Sequence, residues 1–155
     1  MEQQNTPFGE HNKEEYPPMH TAEHLVCGAI AGMLGCGRAF STHIEKKKSK
    51  CDFRFGRNLT DDERAEIERT VNRQIASGAA VRTETMDAEV AARRYDLSRV
   101  PGGAGKVRIV HIGTFDSCPC VGAHVADTSE IPPVRIVSSD WADGVLRVRF
   151  KFDKR

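Results

Sequence analysis

Apolar residues recur at Ile67, Val71 and Ile75, each four positions from the last, behind the polar run Thr60-Asp61-Asp62-Glu63. That spacing puts three side chains on one face of a helix. Thr60 with Glu63 three residues on forms a capping box, and Gly78 supplies the stop. Further upstream, HTAEHLVCGAIAGMLG starts at His20, is apolar at Leu25, Ile30, Met33 and Leu34, and is rich in Ala and Gly. It predicts a buried helix ending near Gly35 or Gly37. Alternation over Arg38 to Glu45 and Cys51 to Phe55 predicts two strands, turned at Lys46-Lys47-Lys48. Ala79 to Met86 reads as a strand and Asp87 to Tyr95 as a short helix. Asp96 to Lys106 reads as a glycine-rich loop. Val107 to Ile112 is a strand, followed by a long loop carrying Cys118, Cys120 and His124. Strands near Val134 to Ser138 and Val145 to Phe152 follow, joined at Asp143-Gly144. The order predicts an α+β two-layer sandwich, with helices packed on one side of a mostly antiparallel sheet.

The chain has 155 residues, 39% hydrophobic and 29% charged, which fits one folded domain with a core of its own. Residues 1–18, polar and containing Pro7, Gly9, Pro17 and Pro18, read as a flexible leader, and 19–155 as the domain. The leader has no apolar segment of the secretory kind, and no stretch is long enough to span a membrane. Five cysteines, an odd number at irregular spacing, argue against a disulfide framework and for a reducing, cytoplasmic setting. A net charge of +1 makes no global case for nucleic acid. Two local runs could still contact phosphates. One is Lys46-Lys47-Lys48-Ser49-Lys50; the other is Arg147, Arg149, Lys151, Lys154 and Arg155. On charge alone each reads first as a solvated turn or strand face.

His20 and His24 lie one helical turn apart, so their imidazoles can reach one point. Cys120 and His124 form a second pair at the same spacing, and Gly122 between them leaves the loop free to bring them together. Two nitrogens, a sulfur and a further nitrogen are a donor set suited to Zn²⁺. Cys118, two residues from Cys120, competes as the ligand, because both side chains leave an extended segment on the same side. Cys27 falls on the histidine face of the helix as a small packing residue, while His11, His43 and His111 have no paired partner. His20-Thr21-Ala22-Glu23-His24 also matches the inverted zinc-peptidase pattern H-x-x-E-H, but that reading leaves Cys120 and His124 unexplained. Pro101 to Lys106 lacks the glycine at position 100 that a phosphate loop needs, and Val107 stands where its Ser or Thr would be.

The segments HTAEHL, LTDDERAEIERTVNRQI, VRIVHIG, CPCVGAHVADTSEI and VRIV together resemble the editing domain of alanyl-tRNA synthetase and its free-standing AlaX relatives, the short form above all. The likeness covers nearly everything from His20 onward and includes Asp127-Thr128-Ser129-Glu130-Ile131. One departure is Cys120-Val121-Gly122-Ala123-His124, where many members carry Cys-Gly-Gly-Thr-His. The resemblance implies one zinc ion held by His20, His24, Cys120 and His124. It also implies hydrolysis of the ester that joins a wrong amino acid, serine or glycine, to tRNA(Ala).

Such an activity has a physical motive. A pocket shaped for alanine cannot strongly exclude glycine or serine, so a second site that hydrolyses the wrong product restores fidelity. Ser41 and Thr42 are candidates to bond the serine hydroxyl, Glu23 is a candidate general base, and Lys46, Lys47, Lys48 and Arg54 are candidate acceptor-stem contacts. Two other expectations stand beside the hydrolase: a zinc-stabilised module that binds tRNA without catalysis, and a small zinc peptidase. The mode of tRNA selection and the oligomeric state are not written in the sequence.

Overall fold

The structure, a computed structural model, describes residues 16–98, 100 and 105–153. Most of the expected leader, together with His11, Arg99, Pro101–Ala104, Lys154 and Arg155, therefore lies outside the described residues. Helix α1 spans Pro17–Leu34, so it begins inside the stretch read as leader. Proline at its first positions needs no amide partner, and Gly35 closes the helix in a left-handed conformation at φ 67°. From Thr21 to Cys27 every residue of α1 is buried, which explains why its apolar pattern is not confined to one stripe. Helix α2 spans Asp61–Ser77 and buries only Ile67, Val71 and Ile75. Its capping box is present at both ends: Thr60 Oγ1 accepts from the Glu63 amide and Glu63 accepts from the Thr60 amide.

The architecture is α+β, and the strands fall into two antiparallel sheets. In the first, β1 (Ser41–His43), β2 (Ser49–Arg54), β7 (Val145–Phe152) and β6 (Val134–Ala142) lie side by side in that order. The second holds β3 (Val81–Asp87), β4 (Lys106–Ile112) and β5 (Asp116–Pro119). A five-residue helix α3, Ala88–Ala92, packs on β3 and β4.

Besides the early start of α1 and the division of the expected single sheet into two, two strands differ from the sequence reading. Cys118 sits on strand β5 rather than in a loop, because the turn at Gly113 (φ 53°) folds Asp116–Pro119 back onto β4. Strand β6 continues past Ser138 to Ala142. A bulge between Ile136 and Ser138 resets its alternation, so its second half looks polar on paper. The β6–β7 turn has Asp143 at φ 50° and Gly144 at φ 79°, as a type I′ hairpin requires.

The core gathers Leu25 and Ile30 of α1, Ile67 and Val71 of α2, Phe53 of β2, and Leu146, Val148 and Phe150 of β7. Asn72 on α2 accepts from the Val134 amide and donates to its carbonyl, and Glu68 accepts from the Ile136 amide. Polar side chains of the helix thereby serve the free edge of β6. Helix α1 touches β2 of the first sheet and β5 of the second, so it lies at the seam between them.

Candidate metal centre at the seam of the two sheets

Helix α1 offers His20 and His24 from one face, and the segment that leaves β5 offers Cys120 and His124. One donor atom from each of the four lies within 4.8 Å of every other. Cys120 Sγ is 3.3 Å from His20 Nε2 and 3.6 Å from His124 Nε2. Those separations match the edges, about 3.3–3.7 Å, of a tetrahedron built with zinc–nitrogen and zinc–sulfur bond lengths.

A partner behind each ring sets its orientation. His20 Nδ1–H donates to the Ala123 carbonyl at 3.1 Å, and Nε2 faces Cys120. His124 Nδ1 lies 2.9 Å from Thr21 Oγ1, and that hydroxyl also accepts from the Val125 amide. His24 Nδ1 faces Cys118 Sγ at 3.4 Å and Asp116 Oδ2 at 3.7 Å, an acceptor-rich side that keeps its proton on Nδ1. Asp116 is itself gripped by Arg38 through both carboxylate oxygens, at 2.7 and 3.3 Å. Imidazole ligands held by hydrogen bonds at the far nitrogen are the usual form of a metal-binding histidine.

Burial would push the Cys120 thiol up. Hydrogen bonds from His124, His20 and His24 outweigh burial and hold it down to about 2, so the group is a thiolate at neutral pH. Burial lowers His124 to about 4; it also opposes the charged form of His20 and His24, but there the Cys120 and Cys118 sulfurs outweigh it and both rings are raised. One thiolate and three imidazoles suit a borderline-soft ion such as Zn²⁺.

Cys118 and Cys120 leave β5 on the same side, as expected, but reach different places. Cys120 joins the four-residue cluster, while Cys118 is buried behind His24 with Asp116 in a group of its own. Gly122 matters for space rather than for backbone freedom: a Cβ there would stand 2.2 Å from His20 Cε1. Gly28 does the same for Asp116, whose Oδ1 would lie 2.7 Å from an added Cβ. Thr21, Arg38 and Asp116 went unremarked in the sequence. Asp116 did carry a signal, since it stands at i, i+2, i+4 with Cys118 and Cys120 on one side of an extended segment.

Glu23, the candidate general base, is buried at 8% exposure. Its Oε2 accepts from Cys27 Sγ at 3.0 Å, and Oε1 lies 3.8 Å from His24 Nε2. Thr42 pairs across the sheet with Cys51, which touches Cys27, so Thr42 stands on the α1 side. Ser41 pairs with Asp52 on the other face, where Asp52 accepts two hydrogen bonds from Arg147, and is not brought to the cluster.

The basic candidates also separate. Lys46–Lys48 are exposed, with Lys46 Nζ 5.2 Å from the centroid of Tyr16, the residue that caps α1 one turn before His20. Arg54 lies at the far end of β2, over the Phe40 ring. Arg147 and Arg149 are tied to Asp52 and Asp140 on the face turned away from α1.

Residues 107–149 match the model of the threonyl and alanyl tRNA synthetase second additional domain. Over that stretch the chain is similar to this family's domain. It is 33% identical to the alanine–tRNA ligases of Methanopyrus kandleri and Ignicoccus hospitalis over 137 residues, and 34% identical to that of Coxiella burnetii over 133. The alignments cover 84%, 84% and 83% of this chain but 15% of each ligase, so the chain spans a small part of the relatives' length. No helix among the described residues is long and apolar enough to cross a membrane.

Proposed function

We propose that this protein is a cytoplasmic trans-editing hydrolase that removes serine or glycine from mischarged tRNA(Ala), with His20, His24, Cys120 and His124 as the ligands of one zinc ion. The observation that carries this reading is the convergence of three imidazoles and a thiolate, each ring braced behind, in a relative of the alanyl-tRNA synthetase domain. The reaction adds water across the ester and yields the free amino acid and a tRNA with its terminal hydroxyl restored. When bound, zinc supplies Lewis acidity toward the ester carbonyl or fixes the walls of the pocket.

The chain's own residues do the rest. Thr42 offers a hydroxyl to the serine side chain from the α1 side of β1, a contact alanine could not return. Lys46, Lys47 and Lys48 meet acceptor-stem phosphates beside the N-terminus of α1, the end that carries the cluster. Cys120, 3.3 Å from His20, speaks against the peptidase reading, in which the H-x-x-E-H pair would bind metal without it.

Purified protein should release serine from Ser-tRNA(Ala) and leave Ala-tRNA(Ala) intact. His24→Ala or Cys120→Ala should lower both zinc content and release by about a hundredfold or more. Full hydrolysis by a zinc-free variant would reject the mechanism, and tRNA binding without hydrolysis in the wild type would leave only the binding module.

A further inference from the structure

Cys120 to Val125 form no helix or strand, so the backbone that carries two of the four ligands has no ladder of its own. It is fastened from outside instead. The Arg108 carbonyl on β4 accepts from the Cys120 amide at 3.1 Å, and Arg108 Nη1 donates to the Cys120 carbonyl at 3.1 Å. Both polar groups of the Cys120 backbone thus meet the same residue. The same Nη1 donates to the Gly122 carbonyl at 3.0 Å, so two carbonyls two residues apart converge on a single nitrogen. Gly122, held in this way, packs against the His20 ring, where an added Cβ would stand 2.2 Å from Cε1. Helix α1 holds the far end of the loop, through His20 on the Ala123 carbonyl and Thr21 on the Val125 amide. Arg108 is half-buried, and the two carbonyls are its side chain's hydrogen-bond acceptors among the described residues.

We infer that Arg108 is a positioning residue for the metal centre: by gathering the Cys120 and Gly122 carbonyls, it sets the Cys120 sulfur and the His20 ring before an ion arrives. The inference rests on the four-ligand reading of the site and not on the identity of the substrate. An unbraced loop would sample many conformations and lose them only on binding metal, which weakens affinity. A braced loop has lost them already on folding. A guanidinium suits the task because it stays charged, and one of its amino groups carries two N–H donors, one for each carbonyl. Hydrogen bonds from a charged donor are also stronger than those between neutral groups. Arg108 acts on backbone, so its effect reaches the donor atoms through Cys120 and Gly122. In the sequence it is one basic residue of an alternating strand, with nothing to set it apart.

The test compares Arg108→Met, which keeps a long side chain without its donors, with Arg108→Lys, which keeps a charge on a shorter reach. Zinc affinity is measured by competition with a chromophoric chelator. The absorption of the Co²⁺-substituted protein reports the Cys120 bond through its sulfur-to-cobalt band, and urea unfolding of the metal-free proteins gives stability separately. Arg108→Met should bind zinc about ten- to a hundredfold more weakly and lose intensity in the thiolate band, and Arg108→Lys should recover part of both. Val148→Ala, which removes core volume from β7, should lower the unfolding midpoint and leave affinity and spectrum unchanged. Affinity and spectrum equal to wild type in Arg108→Met would overturn the inference. So would an equal loss of both in a Val148→Ala protein destabilised to the same extent. Should Arg108→Met not fold, Arg108→Lys is read against the same two outcomes. A wild type with no thiolate band would instead reject the four-ligand reading itself, and the inference with it.

Discussion

A methyl group on Gly122 would stand 2.2 Å from His20 Cε1 and 2.7 Å from Nδ1, inside any allowed contact. The ring would have to turn, giving up its hydrogen bond to Ala123 and its approach to Cys120. Gly122→Ala is therefore expected to weaken zinc binding by about tenfold or more, read by competition with a chromophoric chelator. Unchanged affinity would show that the His20 ring has room to shift. The sequence made His20, His24, Cys120 and His124 legible because two equal spacings stand out. It could not rank Cys118 against Cys120, since side chains two apart in extended backbone leave on the same side. That choice depends on what waits opposite each: Asp116 and His24 for one, His20 and His124 for the other.

Helix α2 was the most legible element, for its cap, period and stop are all local. Its capping box also carries a pH signature. Hydrogen bonds from Arg57 and the Thr60 amide hold the Glu63 carboxyl down to about 2 in the folded chain. A lowered carboxylate pKa stabilises the fold above its unfolded value, about 4.3, and that contribution fades as pH falls toward the folded value. Glu63→Gln should thus destabilise the protein at pH 6 and make little difference near pH 2, as followed by urea unfolding at each pH. Thr60→Ala should cost about 1 kcal/mol. Equal losses for Glu63→Gln at both pH values would remove the ionic part of the box. Strand β5 was illegible for the opposite reason: a four-residue segment containing proline and cysteine has no pattern of its own and becomes a strand by pairing with β4.

At the scale of the molecule, the four-stranded sheet separates two basic runs that look alike in sequence. Lys46–Lys48 border the helix end that carries the cluster, while Arg147 and Arg149 sit on the outer face in ion pairs. Replacing the three lysines with alanine should weaken tRNA binding and reduce the slope of log K against log salt by about 2–3. Arg147→Ala with Arg149→Ala should leave that slope nearly unchanged. The reverse result in a filter-binding titration would move the RNA to the outer face. The sequence by itself determined whatever depends on neighbours along the chain: helix spacing, caps, the type I′ turn, and the donor types that zinc prefers. Only the tertiary structure decided which donors meet, that the strands form two sheets with α1 between them, and that Glu23 is buried. Those outcomes depend on residues about a hundred positions apart meeting at a seam, and no local periodicity encodes a distance between separate elements.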